Sequence, residues 1–209
     1  VRDVDLQRLY APLVATRVTG KLIAELDLQR QRIRGDVADR TITGGLALDF
    51  AAVVADGAVN IERFRARSGK SELAGRGRLA LSGERAFHLD ATTQRFDPAS
   101  YGAFPAGALD GRIVATGTLA PAWRVHADIA LAAGSHLSGV ALAGTARGTF
   151  ARSSVRDAAI DLAVGKSRLK ATGGAGEADD RIAVTLDAPS LAELAPLFPA
   201  AWTHSLSGA

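Results

Sequence analysis

Apolar and polar side chains alternate along most of this chain, and a period of two is the mark of β-strands with one dry face. Leu22, Ala24, Leu26 and Leu28 fall on one side, with Lys21, Glu25, Asp27 and Gln29 on the other. Ile33, Gly35 and Val37 continue the dry side, followed by Leu46, Leu48 and Phe50 and then Val59 and Ile61. The phase slips near Arg63 and Phe64, which predicts a β-bulge. Leu73, Gly75, Gly77, Leu79 and Leu81 predict the next strand, and Phe87, Leu89, Ala91 and Thr93 the one after it. Further on, the same rhythm runs through Ile113, Ala115, Gly117 and Leu119, then Trp123, Val125, Ala127, Ile129 and Leu131. It continues through Val140, Leu142, Gly144, Ala146 and Phe150, then Ala158, Ile160, Leu162 and Val164, then Leu169, Ala171 and Gly173. Ile182, Val184, Leu186 and Ala188 close the series. About a dozen strands are predicted, joined by short turns such as Asp56-Gly57, Ser82-Gly83 and Ala133-Gly134, so neighbours are antiparallel.

The pattern occurs twice. Gly69-Lys70-Ser71-Glu72-Leu73 returns 96 positions later as Gly165-Lys166-Ser167-Arg168-Leu169, and Leu89-Asp90-Ala91 returns as Leu186-Asp187-Ala188. Pro12, Phe104-Pro105 and Phe198-Pro199 mark a similar step. A glycine-led strand start follows each marker: Gly20, Gly111, and Leu206-Ser207-Gly208-Ala209 at the close. Tandem copies of one supersecondary unit build an extended object and not a compact globule. Between copies the signals turn helical. Asp97-Pro98 is an N-cap with proline at the first helical position, and Ser190 to Glu193 has capping-box spacing. The expected organisation is a linker helix over 1–18, a first repeat over 19–109 with a short helix at 97–104, and a second over 110–209. That second repeat carries a short helix at 190–197 and the start of a third copy. With no Met at its start and a repeat in progress at its end, the chain is expected to be a segment of a longer protein.

Composition narrows the reading. Lys plus Arg number 25 against 22 Asp plus Glu, and a net charge of +3 is too small a bias to suggest a nucleic-acid partner. Cys is absent, which removes disulfides and thiolate metal sites. No window approaches the roughly 18 unbroken apolar residues of a membrane helix. Aromatics are only 5% of the chain and Gly numbers 22, so the dry face is built from small and medium side chains.

A one-faced antiparallel sheet must hide its dry side in a sandwich, in a barrel, or by curling into a trough that something else fills. Small inward residues such as Gly75, Gly117, Gly144, Ala91 and Ala127 leave room and favour the trough. The expected fold is therefore all-β: an elongated, curved antiparallel sheet forming a U-shaped groove of about two repeats. Acyl chains are the natural filling, lined by Leu22, Leu26, Leu46, Leu48, Leu73, Leu79, Leu81, Phe87, Leu89, Ile113 and Leu119. Val125, Ile129, Leu131, Leu142, Ile160, Leu162, Leu169, Ile182, Val184 and Leu186 continue that lining.

Two stretches carry a family resemblance. The run Phe96-Asp97-Pro98-Ala99-Ser100-Tyr101-Gly102-Ala103-Phe104-Pro105, then Leu109-Asp110-Gly111-Arg112-Ile113-Val114-Ala115-Thr116-Gly117-Thr118-Leu119 and a strand from Trp123, is one. Asp187-Ala188-Pro189-Ser190-Leu191-Ala192-Glu193-Leu194-Ala195-Pro196 is the other. Their order and spacing resemble the repeats of the translocation and assembly module (TamB) proteins of the AsmA-like family, over essentially the whole chain. The resemblance implies a β-taco fold with a greasy lumen, in a periplasmic protein anchored in the inner membrane of Gram-negative bacteria. It implies phospholipid movement between inner and outer membranes, and outer-membrane protein assembly with an Omp85-type partner. The family's membrane anchor and C-terminal domain have no counterpart in this stretch.

Chemistry-bearing groups are sparse. Gly69-Lys70-Ser71 and Gly165-Lys166-Ser167 imitate the end of a phosphate-binding loop, but Phe64 and Ile160 stand where its first glycine belongs, and a strand follows where a helix is needed. They read as hairpin turns. His88, His126, His136 and His204 lack ligand spacing. Ser135 and Ser153-Ser154 lack a base, and Asp179-Asp180 lacks the alternating ligands of a calcium loop. No catalytic, cofactor-binding or metal residue is assigned, and the chain is read as a non-enzyme. Trp123 and Trp202 are read as packed residues or interfacial anchors. Arg30-Arg32-Arg34 and Arg63-Arg65-Arg67 are read as a solvated face or a rim for head groups. The leading function is a lipid-conducting groove. A scaffold that templates client strands at its edges is the alternative, and a cargo-free structural sandwich the third.

Overall fold

The computed structural model describes residues 17–39, 44–100 and 104–197. Linker helix 1–18 therefore falls almost wholly outside the described residues, as do His204, Trp202 and the start of a third copy. Twelve strands form one sheet in strict sequence order, each antiparallel to the next. They are β1 (Thr19–Leu26), β2 (Gln31–Asp39), β3 (Leu46–Ala55), β4 (Ala58–Ser68), β5 (Ser71–Ala80) and β6 (Phe87–Phe96). After a crossing come β7 (Gly107–Thr118), β8 (Arg124–Leu137), β9 (Val140–Ala151), β10 (Ser154–Val164), β11 (Ser167–Ala175) and β12 (Ile182–Asp187). The fold is thus all-β, elongated and antiparallel, with two six-strand repeats and short helices after them. It lies open and uncurled, with β1 and β12 as its two edges and, among the described residues, no second sheet against it. At about 4.8 Å per strand, twelve strands stretch roughly 53 Å across.

The repeat boundary lies in the crossing between β6 and β7, so a division at 109/110 would cut β7. Both connecting helices are 3₁₀: Pro98–Ser100 and Leu191–Leu197. Asp97 caps the first as its sequence position predicts, with Oδ1 accepting the Ala99 N–H at 3.2 Å. The same oxygen accepts Gly107 N–H at 2.9 Å, and Asp97 N–H donates to Ser71 Oγ at 2.9 Å. One aspartate thereby ties the crossing to both repeats. Ser190 directly precedes the second helix, and the Glu193 side chain falls outside the described residues.

The bulge expected near Arg63 is present in β4, where the register slips between Ile61 and Phe64, and its counterpart sits in β10 between Val155 and Ala158. Each extra residue restores the dry side chains to the correct face after an otherwise fatal slip. Ala133-Gly134 is not a turn. It lies within the long strand β8, where the register slips between Leu131 and Ser135, and the hairpin is made at Ser138-Gly139, with φ of 49° and 79°. A glycine signals a left-handed backbone equally well in a bulge and in a turn, so sequence alone does not separate them. Both Gly-Lys-Ser sites are hairpin turns. Gly69 N–H donates to Gly44 O at 2.9 Å and Gly165 N–H to Ala141 O at 2.8 Å, so one turn is pinned to the connection ahead of β3 and the other to the start of β9.

Many inward glycines are demanded by the backbone. Gly173 has φ +125° and a Cβ there would sit 2.0 Å from Arg181 O. At Gly35 a Cβ would meet the Phe50 ring at 2.2 Å, so the aromatic from the next strand occupies the space the glycine leaves. The opposite face is held by cross-strand ion pairs. Asp90 on β6 lies between Arg76 on β5 and Arg112 on β7, which grips it with two bonds of 2.9 and 3.0 Å. Asp161 receives Arg168 in the same two-pronged way at 2.8 Å, with Lys170 at 3.9 Å. Hydrogen bonding and charge from these cations hold both carboxyls below the usual aspartate range.

Gly173→Ala is expected to cost about 2 kcal/mol through a strained φ and a backbone clash, measured by urea unfolding. Because the folded carboxyls titrate lower than unfolded ones, their stabilisation is complete above the ordinary aspartate value and fades as pH falls through it. The double variant Asp90→Asn, Asp161→Asn is expected to show a shallower acid limb in a plot of unfolding midpoint against pH than the parent.

Candidate functional site: an uncovered apolar face

Register carries the alternation from strand to strand without a break. One row of facing residues runs Leu22, Gly35, Phe50, Phe64, Gly75, Ala91, Ile113, Ile129, Ala146, Ile160, Ala171 and Val184. A second runs Gly20, Val37, Leu48, Ala66, Leu73, Thr93, Gly111, Leu131, Gly144, Leu162, Leu169 and Leu186, with Thr93 its single polar member. The third joins Ala24, Ile33, Ala52, Ile61, Gly77, Leu89, Ala115, Ala127 and Gly148, and resumes past the β10 bulge with Ala158, Gly173 and Ile182. Leu26, Val59, Leu79, Phe87, Val125 and Phe150 belong to a fourth, which Gln31 interrupts near the β1 edge.

The residues assigned to the lining that lie within strands share this face by register. Leu46 extends it at the start of β3, opposite Asp39, and Leu142 in β9, opposite Ser135. Leu81 and Leu119 lie just past the ends of β5 and β7 and are half-exposed. Leu28 does not contribute: it follows β1 in a turn and is fully exposed. Phe64 and Ala66 are lining residues that the strand pattern alone left unassigned, because the phase of β4 past its bulge is set only by pairing.

Among the described residues, nothing covers most of this face. Its larger side chains are half-buried by one another and become exposed toward the edges, at Leu22, Ile182, Val184 and Leu186. The surface area is 13642 Å², half again the roughly 9,200 Å² typical of a compact 21.6 kDa monomer. Among the described residues the local cover is the helix Leu191–Leu197, whose Leu194 packs on Val140 and Val164, beside Leu142 and Leu162. That helix plugs one end of the apolar face.

The charged face differs. A hollow of about 540 Å³ lies there over β7 to β11, with Arg112, Asp128, Arg147 and Lys170 around a floor that includes Val114 and Ala159. His126 stands on this face, 3.2 Å from Asp128 and 3.1 Å from Thr149 Oγ1, and His88 is exposed. Cross-strand pairing also engages half of the arginine runs: Arg32 with Glu25, Arg65 with Glu72, Arg67 with Asp49. Asp180 accepts Glu177 N–H at 2.8 Å within a turn. Trp123 stands half-exposed just before β8. Among the described residues no three metal-ligating side chains come together, and no helix is long and apolar enough to cross a membrane.

Comparison of the chain with family models, with curated proteins and with solved structures returns no match.

Leu194→Ala is expected to cost about 2 kcal/mol locally, because it removes the side chain that pins the plug. Hydrogen exchange should quicken across residues 191–197 while the amides of β4 to β6 keep their protection.

Proposed function

We propose that the chain is a segment of a lipid-conducting surface, along which phospholipid acyl chains travel from strand to strand while head groups stay in water. The observation that carries this reading is the register: three rows of facing residues that remain apolar across the sheet, broken by a single threonine, with no layer of the described residues over most of them. Soluble monomers rarely leave more than a few hundred Å² of contiguous apolar surface bare, so such a strip calls for an apolar occupant. Each CH₂ that leaves water gains about 0.8 kcal/mol, and this gain is non-directional, so it allows sliding where hydrogen bonds would arrest it. No single side chain binds the cargo; continuity does. Among the described residues the sheet is single, which favours this reading over a sealed sandwich.

The resemblance to the AsmA-like repeats suggests where such a surface would serve: the periplasm of Gram-negative bacteria, in a parent anchored in the inner membrane and working with an Omp85-type partner. A second reading draws on the free edges of β1 and β12, which offer backbone donors and acceptors to a client strand of an outer-membrane protein.

Organic extraction of the purified chain is expected to yield phospholipid. In transfer between donor and acceptor vesicles, Ile129→Asp or Leu186→Asp should reduce the rate about tenfold or more, since a charge on the strip must be desolvated by each passing chain. Arg124→Asp on the other face should leave the rate unchanged. Equal effects from both faces would refute conduction, and crosslinks from the edge strands to protein alone would favour the scaffold.

A further inference from the structure

The two repeats differ at one corner, and the difference has the form of a binding site. In the second repeat the rim beside the Gly-Lys-Ser turn is filled by Val140, Val164 and Leu194 in mutual contact. Stepping back 96 positions, the first repeat has Gly44 and Ser68 where the second has Val140 and Val164; 94 back, on the Phe-Pro step, Ser100 stands for Leu194. Every member of the apolar plug is replaced by a glycine or a serine. These three residues line a hollow of about 430 Å³ at the end of the apolar face.

Two cationic side chains and a histidine border that hollow. Lys70, Arg95 and His136 line it, and among the described residues none of their side chains has an ion-pair partner. The one acid in the lining, Asp97, has Oδ1 committed to the backbone N–H groups of Ala99 and Gly107. Ser68 is 5% exposed and its Oγ finds no hydrogen-bond partner among the described residues. A buried hydroxyl left unpaired carries a desolvation cost that a ligand oxygen or proton would relieve. Arg95 adds a second sign of a built site. It takes φ +47° at the β6 bulge, where register slips between Thr93 and Phe96, an uncommon backbone for arginine that re-aims the strand there.

We propose that this corner binds a phosphate group. The charge is right for an anion, Lys70 supplies a point charge, and Arg95 a fork that matches two phosphate oxygens. The hydroxyls of Ser68 and Ser100 can donate to the remainder. A lipid head group whose chains lie on the neighbouring strip and a free phosphate anion share this chemistry. The inference does not depend on lipid conduction, and loss of vesicle transfer would leave it intact.

Titration of the 209-residue chain with inorganic phosphate, followed by calorimetry and by amide shifts at Ser68, Lys70 and Ser100, tests it. Lys70→Gln and Arg95→Gln are each expected to weaken binding about tenfold. Ser68→Val with Ser100→Leu copies the plug of the second repeat; it should abolish binding while leaving the urea midpoint unchanged or higher. Sedimentation with phosphatidylcholine vesicles, with and without phosphatidylglycerol, separates the sources. Retention that requires phosphatidylglycerol and is lost in the same variants identifies a head group, whereas phosphate binding with no such retention identifies a free anion. Absence of binding to both probes, or binding indifferent to all four substitutions, overturns the proposal.

Discussion

The structure depends on cross-strand register. A β-strand separates its side chains onto two faces by alternation, but only pairing decides whether the dry faces of successive strands coincide. Here they coincide across twelve strands, and every irregularity preserves the match. The bulges of β4 and β10 each insert one residue where the apolar phase slips, so Phe64 follows Ile61 on one side of the sheet, and Ala158 follows Val155. Without those insertions half of each strand would turn its leucines and isoleucines to the charged face.

The two faces are stabilised by different physics. On the wet side, arginines and aspartates pair across neighbouring strands, and two-pronged bridges at Asp90 and Asp161 fix register by geometry more than by energy, since exposed pairs contribute little. The dry side has almost no core in the usual sense. Its buried positions are mostly alanines, valines and serines shielded by larger neighbours, and one true cluster forms where Leu194 sits on Val140 and Val164. A sheet built this way meets its backbone hydrogen bonds internally while leaving its apolar surface unsatisfied, which is the condition for an apolar cargo to matter.

Repetition gives the molecule an internal comparison. The same six-strand unit, with the same pinned Gly-Lys-Ser turn, ends once in an apolar plug and once in a polar hollow. The two corners differ in backbone as well as in side chains: Val140 opens strand β9, whereas Gly44, at φ 85°, lies in the turn ahead of β3. Lys70, first read only as part of a turn, becomes a lining residue of that hollow once the crossing is seen to fold over it.

The sequence by itself determined the all-β class, the antiparallel meander, the two copies, the Asp97 cap and which side chains share a face, because alternation and capping are local and act over a few residues. It also located the β4 bulge, since a slip of phase is visible in the pattern. It misplaced the β8 hairpin, where Gly134 serves a bulge and Ser138-Gly139 makes the turn, because a positive φ suits both. Only the tertiary structure decided that the sheet remains open, that Phe50 fills the space over Gly35, and that Lys70, Arg95 and His136 converge on the unpaired hydroxyl of Ser68. These are contacts between residues far apart in the chain, and no local periodicity encodes the distance at which two strands or a crossing segment meet.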